Sequence, residues 1–497
     1  MSELKRGALL SYVNIGLSNI IGLILTPFIV KSLGSSEYGL YTLIGSFVAY
    51  LTLMDLGLNN TIVRYVSKYR AEADKEAEIK FLATAMWVYL AIAIILIIIG
   101  VFIYFQLDTI FSNSLTIIEL GRAKVMFLIL LVNLVITIPG GSFSAICNAY
   151  ESFVFPRFVN IVKYLLRAIS IFAVLSWGGK AISLVLIDTA FNIIIVMVTF
   201  VFVIKKLNIR LNLREYDRKM IREIFSYSFW VFLFTIVHQF QWNAGQVVLG
   251  MTTSTTLVAI FGIGILIGGY YNAFAGVVTS MLLPKATQLI VQERSGLEIT
   301  EVFIKIGRMI TYILFLIISG FFLLGKSFIF LWLSNDYKES WIIALLMMAG
   351  MTMPILQVFG NTVLEAKKKN KFKALVSIVT VSIAVVVGYY YSLRYGVKGM
   401  MIPLFIAMLF NSIIMNFYFV KIFDFKFKYF IKSVIMKPLI VTAILTLIAY
   451  WLLNMINVDS WFLFGIFGFL YAITFLTLTY FLLMNPYEKS FVKTIFK

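Results

Sequence analysis

Asn160, Lys163, Arg167 and Ser170 are separated by three, four and three positions. On an α-helix that spacing places all four on one face. Lys163 and Arg167 sit inside an otherwise apolar run, and Arg167 lies about 15 Å from the nearer end of that run at 1.5 Å per residue. Snorkelling to the membrane surface accounts for a lysine near a helix end, but it does not reach a guanidinium that deep. An ionisable group in such a place marks a functional site by default, with a structural ion pair as the competing explanation. The chemistry on offer is therefore a fixed charge lining a cavity, which binds rather than breaks bonds. Asp188, on the next apolar run, comes to a similar depth and is positioned either to pair with Arg167 or to act with a cargo.

Other polar stripes follow the same pattern. Thr235, His238, Gln239, Trp242 and Gln246 form one helical face, with Gln241 and Asn243 beside it. Hydrogen bonding between helices is one reading of such a stripe, and a hydrophilic cavity wall is the other. His238 titrates near neutral pH and is a candidate proton carrier. Asp55 and Asn59 lie one turn apart ahead of Arg64, and Gln357, Asn361 and Glu365 recur every four residues. These two stripes are expected to line a shared cavity. With a single cysteine, Cys147, and a single histidine, the chain supplies no multi-cysteine zinc site, no internal disulfide and no histidine cluster. We expect no catalytic residue, no metal and no cofactor.

The elements that must hold these residues are set by composition. Of 497 residues, 61% are apolar and only 13% charged, about half the charged share of an ordinary soluble domain. Apolar runs long enough to span a bilayer as helices recur from end to end. We place spans at about 8–30, 39–62, 81–106, 123–146, 158–177, 181–204, 224–250, 257–283, 303–325, 341–364, 373–393, 399–420, 434–454 and 461–484. The first run is longer than a signal-peptide core and lacks a small-residue cleavage site, so it counts as a span. The expected fold is an all-α polytopic membrane protein of fourteen transmembrane helices.

Charge orients them. With the N-terminus inside, 30 of the 42 Lys and Arg fall in inside segments and 8 in outside loops, leaving Lys163, Arg167, Lys305 and Arg308 within spans. That asymmetry is the positive-inside rule, and it predicts that both termini are cytoplasmic. The net charge of +19 then reflects topology and contact with anionic membrane lipids rather than nucleic-acid binding. Lys305 and Arg308 are expected to snorkel. Gly262, Gly264, Gly268 and Gly269 lie inside an apolar span with no preceding strand, so close helix packing explains them better than a nucleotide loop. Pro27, Pro139, Pro354 and Pro403 are candidate bends.

A weak internal repeat divides the chain. Leu10-Ser11-Tyr12 and Leu33-Gly34 recur as Phe225-Ser226-Tyr227 and Leu249-Gly250 in nearly constant register. Two pseudo-symmetric six-helix lobes are expected, 1–204 and 224–421, joined by a basic linker at 205–223 and followed by two C-terminal helices and a tail at 422–497.

One stretch resembles a known family. Leu33-Gly34-Ser35-Ser36-Glu37-Tyr38-Gly39-Leu40-Tyr41, then Asp55-Leu56-Gly57-Leu58 and Arg64-Tyr65-Val66, resemble the N-terminal pattern of Wzx-type polysaccharide-export and O-antigen flippases. These belong to the multidrug, oligosaccharidyl-lipid and polysaccharide exporter superfamily. The resemblance implies a transporter, not an enzyme, that moves an undecaprenyl-pyrophosphate-linked oligosaccharide from the inner to the outer leaflet of a bacterial cytoplasmic membrane by alternating access of two lobes. It also implies a coupling ion or membrane potential and association with polysaccharide assembly proteins. On that reading Arg167, Lys163 and Arg64 contact the anion, while Asn160, Asp188, Asp55, Asn59, His238, Gln239, Gln246, Gln357 and Asn361 line the cavity. A multidrug exporter of the same superfamily is the alternative, disfavoured by the excess of buried cations over acids. A membrane-embedded glycan polymerase or glycosyltransferase is the enzyme reading, disfavoured by short outer loops poor in carboxylates and histidine.

Overall fold

A computed structural model of the chain describes residues 3–112, 114–279, 288, 292, 294–456 and 458–495. The described residues form helices and connecting turns, with no strand among them. Ten of the helices are long and apolar enough to cross a bilayer, and a bent pair makes an eleventh candidate. The chain is thus an all-helical polytopic membrane protein. Residues 280–283, expected at the end of the eighth span, lie outside the described residues, as do the side chains of Ser226 and Tyr227.

The order is α1 (Glu3–Ala49), a 3-10 turn (Tyr50–Asp55), α2 (Leu58–Ala71), α3 (Lys75–Phe111), α4 (Ile117–Ala149), α5 (Val154–Ser176), α6 (Ala181–Lys205), α7 (Arg218–Thr252) and α8 (Thr255–Thr279). Then come α9 (Gly296–Trp332), α10 (Ser340–Leu356), α11 (Val358–Ala366) and α12 (Lys371–Phe423). After a short turn of helix at Phe427–Phe430 and a π turn at Ile431–Met436 lie α13 (Lys437–Leu453) and α14 (Trp461–Leu478). A second π turn (Thr479–Leu483) leads to α15 (Pro486–Ile495).

Several boundaries have local causes. Thr116 and Glu119 form a reciprocal capping box at the start of α4, and Ser295 and Glu298 do the same for α9, so each side chain satisfies a backbone N–H of the first turn that has no helical partner. Two pairs of segments expected as separate spans are joined end to end. Gly34 (φ 78°) interrupts the first pair within α1, and Gly396 (φ 53°) the second within α12. Both are conformations that a residue without Cβ adopts cheaply. Of the prolines, Pro27, Pro139 and Pro403 lie inside helical segments. Pro354 comes three residues before the 41° bend between α10 and α11.

The chain forms two compact units. The first comprises Met1–Ala259 with Tyr389–Gly396, the second Ile260–Gly388 with Val397–Lys497. In the first, α4 packs along α6 and α1 along α5, while α2, α3 and α7 complete the bundle. Helix backbones approach closely where glycine permits it: a Cβ on Gly39 would lie 1.8 Å from the Thr255 carbonyl oxygen. In the second, α9 packs against α10, α13 and α14.

A buried ion pair ties α15 to α9. Arg308 Nε donates to Glu488 Oε1 at 2.6 Å, and its terminal nitrogens donate to the carbonyls of Ser433 and Leu483 at 3.1 and 2.6 Å. Those two carbonyls belong to the π turns, where irregular hydrogen bonding leaves acceptors to be satisfied. The expected snorkelling of Arg308 is therefore corrected: its side chain is 13% exposed and that of Glu488 2%. The cation is held by an acid from a tail helix nearly two hundred residues away, a partner that local pattern does not reveal. Lys305 stacks over the Tyr487 ring at 4.2 Å. We predict that Glu488→Ala, which strands a buried guanidinium, destabilises the protein by about 3 kcal/mol, read as a fall in melting temperature in detergent. The double variant Arg308→Leu with Glu488→Leu is expected to recover most of that loss.

Candidate functional site

The polar face anticipated on α5 exists, and it is cross-linked to three other helices. Arg167 Nε donates to Asp188 Oδ1 on α6, and Arg167 Nη2 donates to Oδ2 at 3.0 Å. The guanidinium and carboxylate thus meet as a two-pronged fork, the geometry in which arginine outperforms lysine. The Tyr41 hydroxyl of α1 donates to the same Oδ2 at 3.1 Å. Four positions earlier on α5, Lys163 Nζ donates to Asn192 Oδ1 at 2.6 Å, and Asn192 Nδ2 passes the chain on to Asn133 Oδ1 of α4 at 3.1 Å. Lys163 accordingly rests on a neutral amide and keeps its charge uncancelled by direct contact.

Arg157, in the first turn of α5, extends the row. Its Nε donates to Ser11 Oγ of α1 at 2.5 Å and its Nη1 to the Phe153 carbonyl at 2.9 Å. It lies three residues before Asn160, and the same periodicity that picked out Lys163 and Arg167 includes it. Its place in the loop charge tally hid it. The face then carries Arg157, Lys163 and Arg167 against one carboxylate, Asp188, with Asn160 half-buried between them. Arg167 and Asp188 keep about a quarter of their side-chain surface exposed, so the pair is screened by its neighbours but not sealed off.

A second cluster forms where the second expected span breaks. The 3-10 turn ends at Asp55, Leu56 is left-handed (φ 52°), and Gly57 follows at φ 76° before α2 begins. A leucine in that region is strained. Asp55 Oδ1 accepts from Asn59 Nδ2 at 3.1 Å and lies 3.3 Å from the buried Tyr89 hydroxyl, which also lies 3.2 Å from Asn59 Oδ1. A Cβ on Gly141 would sit 2.9 Å from the Asn59 amide, so α4 is held close to this cluster by a residue with no side chain. Non-helical backbone at membrane depth is tolerated where protein or a wet cavity satisfies it. The Leu56-Gly57 break was not among the expected bends. Its sequence signal was Gly57, two positions after Asp55.

The remaining candidates are dispersed. Arg64 is exposed on α2, its guanidinium 5.8 Å from the Tyr65 ring centre, and α2 packs on α3, α4 and α7. Gln239 Nε2 donates to Thr52 Oγ1 at 2.8 Å and accepts from Asn243 at 2.5 Å. Gln246 is buried and bonded to Ser46 of α1. His238 is exposed, 6.1 Å from the Trp242 ring. In the second unit, Gln357 is buried at the α10–α11 bend, where its Nε2 donates to the Ser412 carbonyl at 2.7 Å. Asn361 keeps a buried Oδ1 with no hydrogen-bond partner. Gln246 and Gln357 therefore spend their amides on packing between helices.

Residues 4–283 match the family model described as polysaccharide biosynthesis protein. The chain belongs to that family. Solved structures extend the likeness over nearly the whole length of the chain. The lipid II flippase MurJ, in an inward closed conformation, is 14% identical with a TM-score of 0.70, covering 95% of this chain and 98% of its own. An inward-facing multidrug resistance transporter of the MATE family scores 0.62 at 14% identity, covering 83% of this chain and 94% of its own. An outward-facing MATE transporter scores 0.55 at 13% identity, with 85% and 95% covered. None of the curated proteins matches the sequence. At these identities the structural likeness establishes the fold alone.

The fork makes a quantitative prediction. Arg167→Ala and Asp188→Ala each lower the melting temperature of the purified protein, and the double variant loses less than their sum. The resulting coupling energy is about 1–3 kcal/mol. Arg167→Lys keeps the charge but not the two-pronged geometry, and it recovers less than half of that coupling.

Proposed function

We propose that this protein is a lipid-linked oligosaccharide flippase, which moves an undecaprenyl-pyrophosphate-linked glycan from the inner to the outer leaflet for surface polysaccharide synthesis. The observation that carries the reading is the α5 face, where three cations stand against one carboxylate inside a helical bundle. A pyrophosphate esterified at both ends brings two negative charges and several acceptor oxygens, and guanidinium and ammonium groups are its natural partners. Lys163, resting on Asn192, is the group whose charge is free to meet it. Arg167 is preorganised by Asp188 and Tyr41, and Asp188 acts as the partner that releases it. Arg64, on a separate helix, offers a further anion contact. The amides of Asn160, Asn59 and Gln239, with Asp55, suit the hydroxyl-rich sugars. The fold supports the reading as well, since it is shared with a structure described as a lipid II flippase.

A multidrug exporter fits the fold equally, and the sign of the buried charge favours the flippase. A cavity that accumulates cationic drugs needs surplus carboxylate, whereas this face has surplus cation. Transport follows alternating access of lobes 1–204 and 224–421 across the linker 205–223, with residues 422–497 outside both lobes, in a bacterial cytoplasmic membrane with fourteen spans and both termini cytoplasmic. Membrane lipids surround it, an ion gradient or the membrane potential drives it, and polysaccharide assembly proteins receive its product.

Two experiments test this. In a strain lacking its own copy, Arg167→Ala and Lys163→Ala are expected to cut surface-polysaccharide export at least about tenfold, as loss of a charged contact worth 1.4 kcal/mol or more does, with drug susceptibility unchanged. Export at wild-type level in both variants overturns the reading, and drug sensitisation without an export defect selects the exporter. Topology is tested in a Cys147→Ser background, which removes the one cysteine, itself buried. A membrane-impermeant thiol reagent applied to intact cells labels Gly178→Cys and leaves Leu207→Cys unlabelled.

A further inference from the structure

The second unit holds a cavity of about 670 Å³ between the start of α9, the end of α12 and the turn that follows it. Its floor is fixed. Gly296 is so close to the turn that a Cβ would lie 2.4 Å from the Phe423 carbonyl oxygen, and the Lys426 backbone N–H donates to Thr300 Oγ1 at 3.1 Å. Beneath the turn Phe303, Phe419, Phe425 and Phe430 form one aromatic cluster. The outward wall is apolar and open: Ile413, Phe417 and Tyr429 line it and are 52%, 69% and 49% exposed. The wall holds one buried polar group. Asn416 is 3% exposed, lines the cavity, and has a buried Oδ1 with no hydrogen-bond partner.

The rim differs sharply from the wall. Lys426 and Lys428 line the cavity, with Lys421 and Lys432 exposed nearby, and the one acid in this stretch, Asp424, pairs with Lys426 at 2.7 Å. Residues 421–432 therefore carry a net positive charge next to a hydrocarbon-sized apolar groove. Asn416 lies about 10 Å along the helix from Phe423, at 1.5 Å per residue. A phospholipid carries its ester groups on the hydrocarbon side of its phosphate, the side of the lysines on which Asn416 stands. A carboxamide offers both donor and acceptor to such a group.

We propose that this groove is a binding site for an anionic phospholipid of the phosphatidylglycerol type. One acyl chain lies along Ile413, Phe417 and Tyr429, the phosphate meets Lys428 and Lys426, and the Asn416 amide hydrogen-bonds the ester region. The site is separate from the α5 face and does not depend on what that face transports. Charge complementarity selects the occupant. A zwitterionic lipid fills the same apolar groove but brings its own cation toward the lysines.

Native mass spectrometry of the full-length protein, titrated with phosphatidylglycerol and phosphatidylcholine of identical acyl chains, tests the proposal. The wild type is expected to retain one phosphatidylglycerol at least about fivefold more tightly than phosphatidylcholine, from two lysines near one phosphate. Lys426→Gln with Lys428→Gln abolishes that preference while phosphatidylcholine binding stays as it was. Ile413→Trp fills the groove from an exposed position and removes the bound lipid with the melting temperature unchanged, and Asn416→Leu weakens both lipids. Equal retention of the two lipids by the wild type overturns the proposal, as does wild-type binding in Ile413→Trp. Displacement of phosphatidylglycerol by an equal concentration of polyprenyl phosphate also overturns it, and assigns the groove to an isoprenoid carrier instead.

Discussion

Hydrocarbon solvates neither charge nor free backbone, and that constraint organises the whole molecule. Each ionisable side chain admitted to the apolar bundle must be compensated by another group of the protein, because an unpaired charge there costs more than one helix contact returns. The fork between Arg167 and Asp188 is the clearest product of this rule. It fixes the rotation of α5 relative to α6, and with Tyr41 it fixes α1 as well. Once those three helices are locked, Lys163 faces Asn192 and Arg157 faces Ser11 as a matter of geometry. The same rule operates at Arg308, where a guanidinium consumes a carboxylate and two π-turn carbonyls. The two arginines differ in what remains accessible. Arg308 is enclosed and structural, while the Arg167 pair retains exposed surface and neighbours of like charge.

Much of this was legible in the chain alone. Apolar runs and lysine placement identify a polytopic bundle, because a bilayer imposes a length and a charge asymmetry on any sequence that crosses it. The α5 face was legible because it is local: three- and four-residue spacings translate directly into one side of a helix. The depth match with Asp188 was legible because antiparallel neighbours share a depth scale. What was not legible is non-local or conformational. The partner of Arg308 comes from α15, and no periodicity links positions 308 and 488. Gln246 and Gln357 looked like cavity walls on helical wheels, yet each is consumed by a partner on another helix, Ser46 and the Ser412 carbonyl. Glycine mattered at the breaks, since Gly34, Gly57 and Gly396 mark places where the backbone departs from helical geometry.

The apolar composition also has a consequence at the surface. Ile413, Phe417 and Tyr429 stand beside lysines within a single stretch of chain, a juxtaposition that a soluble protein would avoid. On the proposal of a lipid site it becomes a recognition element, in which the tail region supplies area and the headgroup region supplies selectivity. On the two proposals made above, the cationic features of the molecule serve different anions, one at the rim of a groove open to the bilayer and one on the α5 face.

The break at Leu56 and Gly57 divides the second span into parts with separate loyalties. The part within α1 is held through Gly39 at the Thr255 backbone and through Ser46 at Gln246, whereas α2 is held through Asn59 to Tyr89 and Gly141. A continuous rod would transmit any tilt at one end to the other as a lever. This span is jointed instead, so its two ends can answer to different neighbours, and a left-handed leucine is the wrist between them.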